Sequence, residues 1–215
     1  MLPLGLAVFV GAYALILPFN GLVFSGDTWL PLASAVDRIL GYTFTIGILQ
    51  AGFIYGSIIA LVWRSHIRSR QDAPTYCVTS AIAFASAENL FFLTATAPTL
   101  DAAAIRFFGN LAVSVSCGLI IAYGLTRTRF DAAPSFLMPL TLVIGAALIG
   151  VSIPLQSGLL SASLSLEPTS PRPFFALGLA AAILSVGMFI INSLLTSAER
   201  RAMEAESIES LDILR

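Results

Sequence analysis

The sequence predicts an all-α fold, a polytopic bundle of transmembrane helices with about six spans. Three observations carry that prediction. Of 215 residues, 57% are hydrophobic and 11% are charged, whereas a soluble domain carries about 25% charged residues. Mean hydropathy is +0.91. Apolar runs of roughly 20 residues, enough to cross about 30 Å of hydrocarbon, recur along the chain.

The runs cover residues 2–24, 42–63, 76–97, 103–125, 135–156 and 174–195. The first lacks a basic leader and a small-residue cleavage site, so it is expected to stay as a helix that Pro18 and Asn20 bend or end. Residues 28–40 set Trp29, Leu30, Leu32, Val36, Ile39 and Leu40 beside Asp37 and Arg38, the pattern of a short helix lying in the interface. The fifth run carries Pro139 and Pro154, tolerated near helix ends or as kinks. Residues 157–173 read as a loop. Residues 1–196 thus form one transmembrane domain, and 197–215 a charged, partly amphipathic cytoplasmic tail.

Arginine placement sets the orientation, because cytoplasmic loops carry the excess of basic residues. Every basic residue here is Arg. With six spans, Arg64, Arg68, Arg70, Arg127, Arg129, Arg200, Arg201 and Arg215 share one side, and Arg38, Arg106 and Arg172 the other. Both termini are therefore expected in the cytoplasm. The bulk of that pattern serves topology. Contact of Arg64, Arg68 and Arg70 with anionic lipid is the sharper alternative.

The rarer side chains exclude several functions. The single histidine, His66, falls in an Arg-rich loop, which removes bis-His haem and membrane-embedded Ser-His or Cys-His catalysis. Cys77 and Cys117 both fall inside spans and read as small buried packing residues. No cofactor, metal centre or nucleic-acid partner is expected. No internal repeat is visible, which disfavours an inverted-repeat transporter.

Glu88 is the one carboxylate deep inside a span, and there it costs on the order of 2.5–3.5 kcal/mol unless paired, protonated or used. It lies about nine residues from the outer end of its run, roughly 13 Å deep. Asn110 and Gln50 enter from the outside by about seven and eight residues, roughly 10 and 12 Å. Arg106, Asn110, Ser114 and Cys117 share one helix face. A polar cluster of Gln50, Glu88, Asn89, Arg106, Asn110 and Ser114 is therefore expected at one depth. Its bland form is a Glu88–Arg106 ion pair or a carboxamide clamp; its sharper forms are catalysis, proton transfer and ligand binding. Gly52 and Gly56 make a GxxxG that permits close helix approach.

The segment Ala83-Phe84-Ala85-Ser86-Ala87-Glu88-Asn89-Leu90-Phe91-Phe92 resembles the second motif of the PrsW-type intramembrane proteases, in the CAAX-protease and bacteriocin-processing superfamily. Arg106-Phe107-Phe108-Gly109-Asn110, with Gly118, Tyr123 and Gly124, resembles that family's next helix. The resemblance covers roughly residues 42–129. The family's first motif, Glu-Glu-x-x-Lys, is missing; Gln50 stands nearest its place. Asn110 aligns where the third motif begins with His. A carboxamide accepts no proton at neutral pH, so the resemblance implies a degenerate, proteolytically inactive member.

A non-catalytic scaffold or accessory subunit of a bacterial inner-membrane complex is therefore the leading expectation, with other membrane subunits as partners. Phe91-Phe92, Phe107-Phe108 and Phe174-Phe175 offer contact surface at lipid depth. An active PrsW-like protease using Glu88 is the alternative, and a small proton-coupled transporter the third reading.

Overall fold

The computed structural model describes residues 1–19, 33–96, 100–131, 133–164, 178–189, 191–193, 196 and 200. Every regular element among them is helical: α1 (Leu2–Phe19), α2 (Ala35–Leu61), α3 (Asp72–Thr96), α4 (Leu100–Phe130), α5 (Leu137–Leu164) and α6 (Gly178–Ser193). The first five are long and apolar enough to cross a membrane, and α6 is a shorter apolar helix. The tail beyond residue 196 lies outside the described residues except for Arg200.

Helix boundaries differ from the expectation in three places. Residues 35–40 are no separate interfacial helix; they open α2, while 28–32 lie outside the described residues. The Ser34 hydroxyl caps this helix by accepting from the Asp37 amide at 3.2 Å, which satisfies an orphan N–H. Nothing stops the helix at Tyr42, because the hydroxyls of Thr43 and Thr45 fold back on the carbonyls of Ile39 and Gly41, both at 2.7 Å. The fourth span continues past residue 125 to Phe130. The expected loop from 157 begins as helix, since α5 runs to Leu164 with Pro154 inside it.

Among the described residues two helices contain a π-helical turn. In α1 it covers Ala12–Ile16, with the Leu17 amide reaching the Ala12 carbonyl. Pro18 follows directly, and a wider turn relieves the clash that a proline ring makes with the carbonyl four residues back. In α2 the π turn covers Thr43–Gly47, and there α2 meets α5. A Cβ on Gly150 would strike Thr43, whose backbone nitrogen lies 2.6 Å from its position. A Cβ on Gly47 would strike the Ala146 carbonyl. Thr43 and Gly47 thus mesh with Ala146 and Gly150, small residues four apart on both helices. Lipid offers no hydrophobic force between helices, so close packing of this kind holds them together.

The bundle centres on α3 and α4, which run antiparallel. A Cβ on Gly118 would lie 2.9 Å from the Ala81 side chain and 3.0 Å from the Cys77 carbonyl. Cys117, a free thiol like Cys77, fills the opposite side, 2.9 Å from a Cβ position on Gly145 of α5. Val8, Ile54, Ile58, Phe84, Ile121 and Leu125 are fully buried around this seam. Aromatic contacts attach α1 and α2 to α3: Tyr13 meets Phe91 edge-on, and Phe53 tilts against Phe84.

The arginine-rich end is tied by one carboxylate. Asp131 accepts from both terminal nitrogens of Arg70, at 2.9 and 3.2 Å, and from Arg127 at 3.0 Å. The Arg70 hydrogen bonds, aided by the charges of Arg70 and Arg127, hold this carboxyl below its ordinary value against partial burial. Arg129 lies over the Trp63 ring, 5.1 Å from its centre. Arg70 is therefore committed within the chain, while Arg64 and Arg68 stay exposed.

The GxxxG expectation is corrected. Among the described residues a Cβ on Gly52 or Gly56 would meet nothing within 4 Å, because that face of α2 lines an open groove with Ala7 and Gly11 of α1. Gly150→Ala should therefore lower the melting temperature measured in detergent, by an overpacking cost of about 1–3 kcal/mol. Gly52→Ala should leave it unchanged or slightly raised, since Ala is the better helix former. Equal losses at the two sites would contradict this packing.

Candidate functional site

The antiparallel register of α3 on α4 decides which polar residues meet. Pairing Cys77 and Ala81 with Gly118 brings Glu88 and Asn89 to Asn110, and Phe92 to Arg106, two and three turns further out. The Asn110 carboxamide lies beside the Glu88 carboxyl and donates from Nδ2 to Asn89 Oδ1 at 3.4 Å. Asn89 is 5% exposed. Glu88 is half-buried as a residue, yet among the described residues its Oε2 is buried without a hydrogen-bond partner, as is Nδ2 of Asn89.

The expected Glu88–Arg106 ion pair is corrected. Among the described residues the ion pairs within 4.0 Å are Arg70–Asp131 and Arg127–Asp131. Arg106 instead lays its guanidinium over the Phe92 ring, 3.8 Å from the centre. A desolvated contact of this type is worth about 2 kcal/mol. Arg106 and Glu88 still interact through space. The preference has a steric basis: one turn separates Arg106 from Asn110, and Phe92 occupies the matching place on α3.

Gln50 does not join Glu88 either. Its Nε2 donates to the Ser114 hydroxyl at 2.8 Å, and both side chains are buried. Ser114 lies four residues past Asn110, so this pair sits about 6 Å deeper. The depth expected for Gln50 was too shallow because α2 begins at Ala35 and not at Tyr42. The single polar layer expected from the sequence is therefore two layers. The outer one comprises Glu88, Asn89, Asn110 and Arg106; the inner one comprises Gln50 and Ser114.

Sequence reasoning missed two contributors. Phe92 is the partner of Arg106, a contact that the i, i+4 spacing from Glu88 could have suggested. Gln156 of α5 lies 3.0 Å from a Cβ position on Gly109, so glycine there admits the Gln156 carboxamide against α4. Its signal was the Gly-Asn pair itself, since a glycine before a polar residue opens room at the helix contact.

Chemically, the outer layer offers one carboxyl, two carboxamides and a guanidinium stacked on a ring. Among the described residues no three His, Cys, Asp or Glu side chains gather as a metal site. Cavities on the bundle surface include an apolar groove of about 390 Å³ between α4, α5 and α6 lined by Ser116, Ile120, Leu148, Ile183 and Gly187. Comparison with protein-family models, with curated proteins and with solved structures finds no match. The chemistry of the site therefore has to be read from its own residues.

The Gln50–Ser114 bond is open to direct measurement. Gln50→Leu and Ser114→Ala should each destabilise the protein. The double variant should lose less than their sum, with a coupling of about 0.6–1.7 kcal/mol as found for buried polar pairs in membranes. Strict additivity in detergent unfolding would mean that the two side chains do not bond.

Proposed function

We propose that this chain is a non-catalytic multi-pass membrane protein, a scaffold or accessory subunit of a bacterial inner-membrane complex. The reading takes up the sequence resemblance of residues 42–129 to the PrsW-type proteases. One observation carries the reading: the carboxamides that stand where that family's catalytic groups would be bond to side chains on neighbouring helices. Gln50, nearest the place of that family's first-motif acids, is consumed by Ser114. Asn110, aligned with that family's histidine, is consumed by Asn89 and Glu88. Carboxamides joined this way hold helices in register and activate no water. Outward faces stay available for other subunits, among them the exposed Phe107–Phe108 pair.

Gentle extraction of the native protein, followed by native electrophoresis and mass spectrometry of the co-migrating chains, tests this. A complex of fixed stoichiometry is expected. A free monomer or homodimer would count against the subunit reading.

A second reading, an intramembrane protease that uses Glu88, is favoured by the buried Oε2 that no protein group satisfies. It requires Glu88→Gln to abolish cleavage of a membrane substrate while the protein still accumulates. Undiminished cleavage by that variant would eliminate it.

A further inference from the structure

We propose that Glu88, Asn89 and Asn110 form an internal water-binding site at lipid depth, entered from the outer face beneath Arg106 and Phe92. Two independent groups point to it. Nδ2 of Asn89 is a buried donor without an acceptor, on a side chain that is 5% exposed. Oε2 of Glu88 is a buried oxygen without a donor. Both side chains flank Asn110, so both needs arise around one carboxamide.

The ligand must accept from an amide and donate to a carboxyl oxygen. Water does both, is small enough for a helix interface, and typically satisfies buried groups that the chain leaves over. Among the described residues Arg106 and Glu88 form no ion pair within 4.0 Å, and a longer polar approach is one that a water can bridge. Arg106 is the charged group that α4 turns toward Glu88. From α2, the nearest polar group, Gln50, is bound to Ser114 and faces the deeper layer. Phe92 and the guanidinium stacked on it cover the site one turn outward, leaving the outer aqueous phase as the nearest source of water.

The site stands whether or not the chain is a subunit of a complex, because the water is held by this chain alone.

Water-edited solid-state NMR on the full-length, ¹⁵N-labelled protein in lipid bilayers tests this. Magnetisation from water should reach the side-chain amide of Asn89 several-fold faster than that of Gln50, which is equally buried but bonded to Ser114. Build-up at Asn89 as slow as at Gln50 would overturn the site. Equally fast build-up at both would also overturn it, as general water penetration. Neither outcome depends on the co-purification result.

Discussion

The approach of α3 to α4 at Gly118 governs the rest of this structure. In hydrocarbon, helices gain nothing by hiding from solvent, so association depends on contact distance and on polar groups finding partners. Ala81 and the Cys77 backbone reach Gly118 at about van der Waals distance. That one contact sets the register of both helices over their whole length. It delivers Glu88 and Asn89 to Asn110 and places Phe92 under Arg106. A shift of one turn would leave a carboxyl against apolar groups, at the cost that makes such residues rare in membranes.

Much of the fold was legible because transmembrane helices announce themselves by length and apolarity. The presence of helices in five of the six expected stretches, and an apolar helix in the sixth, followed from that signal. Boundaries were less legible. The start of α2 at Ala35 depends on the Ser34 cap and on threonine hydroxyls folded back on carbonyls, and hydropathy registers neither. The glycines that pack were unreadable for a related reason. Gly52 and Gly56 match a familiar spacing but face a groove, whereas Gly47 and Gly150, spaced four residues from Thr43 and Ala146 and not from a second glycine, touch a neighbouring backbone. Spacing identifies a face of a helix; it does not say what lies opposite.

The candidate site shows the same division. All six polar residues singled out from the sequence take part in contacts among α2, α3 and α4, because polar groups in lipid must turn inward. Their pairing was not legible. Depth counted from a misplaced helix start put Gln50 beside Glu88, and charge complementarity suggested Arg106 as its partner. Geometry instead gave Gln50 to Ser114 and Arg106 to Phe92. Pairing depends on interhelical register, which one sequence does not contain.

The π turn at Thr43–Gly47 has a further consequence. A π turn holds one residue more than an α turn, so it offsets the two halves of a helix by about 100°. Above it, Val36, Asp37 and Leu40 point away from the bundle; below it, Ala51, Ile54 and Ile58 point into the core. A gene losing a single codon in this stretch would convert α2 to an uninterrupted α-helix. Because the π turn already absorbs the extra residue, the outer rim and the core face would both keep their directions. Tolerance to a one-residue deletion should therefore be highest at the point where the chain itself carries an extra residue.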